Sequence, residues 1–417
     1  MDTAPLQRLR HIHQLALTFL VYPGATHRRF EHSLGVMELA GRVFDVVTHR
    51  DALTDEIRES VPEVADDNKC KYWKRVLRMA ALCHDIGHLP FSHAAEATLL
   101  PAGWDHERIT RALIESPEMA AIWKDVTPPL RPCDVVKLAV GPRKASDLTF
   151  TVWETILSEI ITGDSFGVDR IDYLLRDSHH AGVAYGRFDH FRLIDELRIL
   201  PPAPAGGSDP SSEPALGVEE GGLQSAEALL LARYFMYSQV YFHPVRRIYD
   251  IHLKDFLKAW LTGGEFPTAP GNHLRTTDNE VMAAMLNAAR DSSAAGHDHA
   301  CRIVQHEHFR VLYKRHPDDV KKNPEAAKAI FQAATEKFGE DNVRQDRYRG
   351  KGGITDFPVR LKDGRTASSL SVSEVLNKVP VAAFDYVFIA PGLEDEAKGW
   401  LKENREKIIQ PAREEES

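Results

Sequence analysis

The sequence is short of several features that would fix its class at once. Its 417 residues include only four cysteines. These are Cys70, Cys83, Cys133 and Cys301, and no two form a C-x-x-C pair. That scatter excludes a zinc ribbon and a disulfide framework, and it fits a reducing cytoplasm. No apolar run reaches the roughly 18 residues that a membrane span needs. The N-terminal "MDTAPLQRLR" lacks the apolar core of a secretory signal, so a cytoplasmic protein is expected. Neither a P-loop nor a glycine-rich dinucleotide fingerprint occurs. "GKGG" at 350–353 lacks the P-loop spacing and reads as a turn before a strand. The net charge of −9 at pH 7 argues against a protein whose main work is coating nucleic acid. What remains is an ordinary globular composition, 43% hydrophobic and 27% charged, long enough for two or three domains.

Helical patterning dominates the first 200 or so residues. In "HRRFEHSLGVMELAGRVFDVV", Val36, Leu39, Ala40, Val43 and Val47 recur at helical spacing. Val76, Leu77, Ala80 and Ala81 do the same in "YWKRVLRMAALCHD", a helix expected to stop at Gly87, with Pro90 opening the next. Residues 153–178 read as two helices joined around "TGDSFG". Residues 201–222, rich in Pro, Gly, Ser and Glu, read as an exposed insertion flanked by short strands at "LRIL" and "ALGV". Beyond about residue 305, helix ("PEAAKAIFQAATEKFG") mixes with strands ("GITDFPVRL", "FDYVFIAP"). The pattern predicts a mainly α domain over 1–300 and a smaller α+β lobe over 301–417.

Against this background, "ALCHDIGHLPFSH" at 81–93 carries three histidines and an aspartate in an otherwise apolar segment. A His-Asp dipeptide alone means nothing, because shuffling 20 histidines among the aspartates yields about one by chance. Indeed a second occurs at His297-Asp298, where a helix cap is explanation enough. The first has company. Arg29 and His32 share a helix face upstream, and Asp169, Tyr173, Arg176 and Asp177 fall at helical spacing downstream. A histidine, a His-Asp pair and a distant aspartate make a mixed nitrogen and oxygen donor set. Such a set suits Mn, Fe, Ni or Zn better than Ca, with Mg also compatible in an open phosphate site.

These blocks resemble a family. "RRFEHSLGV", "ALCHDIGHLPFSH", "WDHE", "GVDRIDYLLRDSHHAGV" and "MYSQVYFHPV" are similar, in order and spacing, to the HD-domain deoxynucleoside triphosphate triphosphohydrolases, whose mammalian members also carry a SAM domain not expected here. The resemblance implies an HD-domain helical phosphohydrolase fold with His32, His84, Asp85 and Asp169 as ligands of a divalent metal. It implies His88, His93 and His106 as active-site histidines around the phosphates, with Glu96 the acidic partner of His93. It places Arg29, Arg170 and Arg233 on phosphate and Gln14, Leu15, Tyr173, Asp177 and Tyr241 around the deoxyribose. Arg170 is a lysine in mammalian members, and Phe242 stands where they carry a base-facing glutamine.

The chemistry of such a substrate agrees with these roles. A dNTP carries about four negative charges, so attack at its α-phosphorus needs cations around the oxygens. Its 5′-alkoxide leaves poorly unless protonated, a task for His93 oriented by Glu96.

The resemblance further implies a homo-oligomer, often a tetramer or hexamer. It also implies an allosteric nucleotide at Asp2, Gln7, Arg10 and His243, although Pro244 replaces a mammalian lysine there. A solvated first helix explains Arg8 and Arg10 equally well, so both readings stand. The basic stretches "RLRHIHQLAL" and "VRRIY" are read as flanking phosphate or a subunit interface, and a nucleic-acid partner is not favoured. The expected activity is hydrolysis of dNTP to deoxynucleoside and inorganic triphosphate, serving dNTP balance or phage defence. The alternatives are an HD-type nuclease on single-stranded nucleic acid, another nucleotide phosphohydrolase, or a catalytically silent nucleotide-sensing scaffold.

Overall fold

The computed structural model describes residues 1–92, 96–202, 213–350 and 356–410. The fold is mainly α, as the periodicity predicts. Its principal helices begin with α1 (Ala4–Arg8), α2 (Arg29–Val47) and α3 (Asp67–Cys83). They continue through α4 (His106–Ile114), α5 (Pro132–Val140), α6 (Val152–Thr162), α7 (Val168–Ala181) and α8 (Leu223–Met236). The later ones are α9 (Pro244–Trp260), α10 (His297–Val304), α11 (Ala326–Phe338) and α12 (Glu394–Ile409). The described strands are β1 (Leu197–Leu200), β2 (Ala215–Glu219), β3 (Arg310–Lys314), β4 (Val343–Arg349), β5 (Pro358–Arg360), β6 (Thr366–Ser368) and β7 (Ala383–Ile389). Among the described residues, no helix is long and apolar enough to cross a membrane.

Two compact units result. One gathers residues 1–236, 265–281 and 356–380, and the other 237–264, 282–350 and 381–410. The chain therefore passes between units several times, where the sequence suggests a single boundary near residue 300. In the first unit, α2 packs its stripe of Val36, Leu39, Ala40, Val43 and Val47 inward. Each of the valines and Leu39 contributes roughly 1.5–3 kcal/mol on full burial, and Ala40 less. Glu31 accepts the Arg28 N–H at 2.7 Å and fixes the start of α2, so its first turn is held rigidly. Capping by Thr151 and Glu154 does the same for α6. The flanking strands expected at "LRIL" and "ALGV" form β1 and β2, paired antiparallel, and β2 adds β5 in parallel. Residues 203–212 of the expected insertion lie outside the described residues, as do 351–353 of "GKGG". In the second unit β7 is the central strand of a β3-β7-β4 sheet, which explains its nearly continuous burial.

Two local expectations need correcting. Helix α3 ends at Cys83 rather than Gly87, and Pro90 opens no helix. Gly87 lies so close to the backbone of His106 and Thr110 that a Cβ would overlap the His106 carbonyl, and its N–H donates to Thr110 Oγ1 at 3.1 Å. That contact pulls the chain off the helical path. Pro90 then sits in a turn closed by the Ser92 N–H on Leu89 O at 2.9 Å. The second correction is at His297, which is no cap. Gly296 is the N-cap of α10, and His297 Nδ1 bonds Ala288 O at 2.8 Å.

Candidate metal centre

Four side chains from three parts of the first unit converge. His32 comes from the first turn of α2, His84 and Asp85 from the turn after α3, and Asp169 from the first turn of α7. Within a regular helix adjacent side chains diverge by about 100°. Because the helix stops at Cys83, His84 and Asp85 can aim at one point. His32 Nε2 lies 3.1 Å from Asp169 Oδ1 and 3.6 Å from Asp85 Oδ2. His84 Nε2 lies 3.3 Å from Asp85 Oδ1 and 3.5 Å from Asp169 Oδ1. The side chains of His32, His84 and Asp85 are 1%, 7% and 7% exposed, whereas Asp169 is 37% exposed and forms the open side.

The donor set fits a divalent cation. Both Nε2 atoms are buried with no hydrogen-bond partner among the described residues. The Nδ1 atoms are occupied: that of His32 meets Asp172 Oδ2 at 2.7 Å and that of His84 meets Ala81 O at 2.8 Å. With Nδ1–H donating, each Nε2 lone pair faces the carboxylates, the tautomer a metal-ligating histidine needs. With Nε2 protonated instead, His32 is a cation: burial works against it, but the Asp169 and Asp172 carboxylates and the nearby Asp85 charge outweigh burial and raise its pKa to about 10, so a metal ion would compete with that proton. Partial desolvation works against the charged form of Asp169, but His32 and His84 prevail and hold its carboxyl below the usual range. The centre attracts positive charge. Asp172, which the sequence reading passed over, is tied in turn by Arg176 Nε and Nη2 at 2.8 Å each. Its position three residues after Asp169 on one helix face was the available signal.

A second trio adjoins the first. His88, Glu96 and His106 bring one ligand-type atom each within 4.8 Å of one another. His88 Nε2 is 3.1 Å from Asp85 Oδ1, and its ring stacks on His106 with centroids 4.0 Å apart. Glu96 Oε1 accepts from the His106 N–H at 2.8 Å and lies 2.6 Å from its Nδ1. His93, the expected partner of Glu96, lies outside the described residues. Burial, then Arg29 and His106, push the His88 pKa well below the ordinary value. Burial opposes a charged His106, but Glu96 prevails and raises it.

The remaining expected residues divide. Arg29 points into the centre, its Nη1 paired with Asp85 and its Nε donating to Ser92 Oγ at 2.8 Å. Arg170 Nη1 instead donates to the carbonyls of Gly163 and Asp164 in the turn before α7. Arg233 occupies the last turn of α8. Gln14 and Leu15 follow the bridge between His13 and Arg28, and Gln14 Oε1 is buried with no partner among the described residues. Tyr173 and Asp177 lie one turn apart on α7. Asp177 Oδ1 is 2.7 Å from His27 Nε2, a buried pairing that the sequence did not suggest. Tyr241 and His243 belong to the second unit. Asp2 and Arg10 are exposed, and Arg10 Nε donates to Gln7 Oε1 at 2.9 Å.

A family model described as "HD domain" matches residues 29–119, and one described as "HD associated region" matches 188–341. The first covers His32, His84, Asp85 and His88, while Asp169 falls between the two. An uncharacterised protein of Bacillus subtilis is 35% identical over 258 residues, covering 62% of this chain and 50% of that protein. The deoxynucleoside triphosphate triphosphohydrolase SAMHD1 of Mus musculus is 34% identical over 229 residues, covering 48% of this chain and 31% of its own. The chain thus spans half or less of the length of these two curated relatives. A solved structure of a hypothetical protein from Aquifex aeolicus is 31% identical with a TM-score of 0.75, covering 96% of this chain and 94% of that one.

Proposed function

We propose, from the premise that this chain belongs to the HD-domain family, that it is a metal-dependent phosphohydrolase converting deoxynucleoside triphosphates to deoxynucleoside and inorganic triphosphate. One observation carries the reading: the paired, buried and unpartnered Nε2 atoms of His32 and His84 face the carboxylates of Asp85 and Asp169. Those four residues would hold the metal. When bound, a divalent ion supplies Lewis-acid polarisation of a phosphate oxygen and a more acidic water.

The chain's own groups supply the rest. Arg29, fixed between Asp85 and Ser92, presents a cation to the phosphate oxygens. Glu96 orients the His106 imidazole and raises its pKa, so it can hold a proton beside the stacked, neutral His88. Donation of a proton to the leaving 5′-oxygen belongs to His93. On the sugar side, Tyr173 closes the space of a 2′-hydroxyl and Asp177 accepts from the 3′-hydroxyl. An allosteric nucleotide and a homo-oligomeric state belong to the same proposal.

The test is product analysis. The purified protein is incubated with each dNTP, each NTP and single-stranded DNA, in Mn or Mg. Inorganic triphosphate from dNTP is expected. Pyrophosphate plus monophosphate, or shortened DNA with intact dNTP, would replace this reading by a pyrophosphohydrolase or a nuclease.

A further inference from the structure

We infer that Asp278 is a positioning residue for this centre, acting through the turn Phe91–Ser92 on Arg29. The inference rests on the phosphohydrolase reading above.

Asp278 opens a helix, where an aspartate ordinarily caps the backbone. Here that work is done by neighbours: Thr277 Oγ1 accepts the Asn279 N–H at 3.2 Å, and Glu280 Oε2 accepts the Thr277 N–H at 2.7 Å. The Asp278 carboxylate, only 1% exposed, turns elsewhere. Its Oδ1 accepts the Phe91 N–H at 2.7 Å, and its Oδ2 accepts the His13 N–H at 2.7 Å and lies 2.6 Å from His13 Nδ1. One buried carboxylate thus joins two segments that carry expected site residues.

The Phe91 bond matters because of backbone conformation. Phe91 and Ser92 have φ of +54° and +56°, the left-handed region that L-residues avoid. Two consecutive residues of this kind persist only where the surroundings over-determine them. Phe91 is fully buried, its ring parallel to that of His13 with centroids 6.1 Å apart. Ser92 N–H is held by Leu89 O, and Ser92 Oγ accepts Arg29 Nε. Just upstream, the buried Arg8 Nη1 donates to His88 O at 2.8 Å, while its Nε and Nη2 donate to Thr276 O. The 276–278 segment therefore braces the turn at both ends, and the turn's serine sets the direction of the guanidinium beside Asp85. On the other side, His13 precedes Gln14.

Asparagine is the informative replacement. Its amide has one acceptor where the carboxylate has two, so either the Phe91 or the His13 N–H must lose its partner however the group is flipped. The full-length protein is prepared as wild type, D278N, S92A and the double variant. Measured are kcat and KM for a dNTP, bound metal per chain, and amide exchange at His13 and over 88–92. D278N and S92A should each lower kcat by about 10- to 100-fold, the scale of a small misplacement of a catalytic group, with KM and metal content little changed. The double variant should be no slower than the slower single one, because both act through one contact. Exchange at Phe91 or at His13, whichever amide the asparagine leaves without an acceptor, should quicken in D278N and in the double variant but not in S92A. Wild-type kcat in D278N, multiplicative losses in the double variant, or unchanged exchange at both Phe91 and His13 would overturn the inference. A wild-type protein that hydrolyses nothing would refute the phosphohydrolase reading instead, and the exchange result alone would then decide the role of Asp278.

Discussion

At the scale of single residues, the centre depends on partners behind the ligands as much as on the ligands. Asp172 holds His32 Nδ1 at 2.7 Å while bound to Arg176. Asp172→Asn keeps the shape and removes the charge, so metal affinity should fall by roughly 10- to 100-fold, read by competition with a chelating dye. Unchanged affinity would make Asp172 a packing residue only. The histidines and the aspartate in "ALCHDIGHLPFSH" were conspicuous in the sequence, but only the family resemblance joined His32, His84, Asp85 and Asp169 into one expected ligand set. Asp172, His27 and Asp278 were not legible there. Each is an ordinary acid or imidazole locally and acquires its role only from a partner 140, 150 or 265 residues away.

At the scale of elements, α2 and α7 form the frame. Gly35 lets them approach: a Cβ there would overlap the Asp172 carboxylate and the Arg176 guanidinium. Alanine is favoured over glycine in a helix by about 1 kcal/mol. Overpacking costs roughly 1–3 kcal/mol and here strikes the brace of His32. Gly35→Ala should therefore lower both the melting temperature and metal affinity; a more stable variant with full affinity would contradict this packing. Tyr173 and Asp177, one turn apart on α7, are the residues proposed to select the sugar. A ribose forced against Tyr173 must clash or leave its hydroxyl unpaired, at roughly 1–3 kcal/mol. The protein should favour dGTP over GTP in kcat/KM by at least about tenfold, and Tyr173→Ala should narrow the gap. Equal wild-type rates would remove the gate. The stripes of α2 and α3 and the strands β1 and β2 were readable from periodicity. The early stop of α3 was not, because it follows from a backbone contact between Gly87 and α4 that no local pattern announces.

At the scale of the whole molecule, acid should weaken the second unit. In the second unit, burial, then the charges of Arg302, His299, His308 and Arg344, press the His252 pKa down to about 2. In the unfolded chain the same group takes up its proton near an ordinary value of about 6.5. Between these values the unfolded state binds more protons, so stability is retained above about pH 6.5 and lost as the pH falls below it. Thermal unfolding of the second unit from pH 7 to 5 should show this loss, and His252→Gln should flatten it. An equal slope in both proteins would assign the acid sensitivity elsewhere.

The central claim is that four side chains drawn from three parts of the first unit make one metal centre. Elemental analysis of the purified wild-type protein and Asp169→Ala tests it most directly. About one bound transition-metal ion per chain is expected in the wild type, and little or none in a variant whose helical circular dichroism is unchanged. Equal metal in both proteins, or none in either after saturation with Mn, Fe, Ni or Zn, would contradict it.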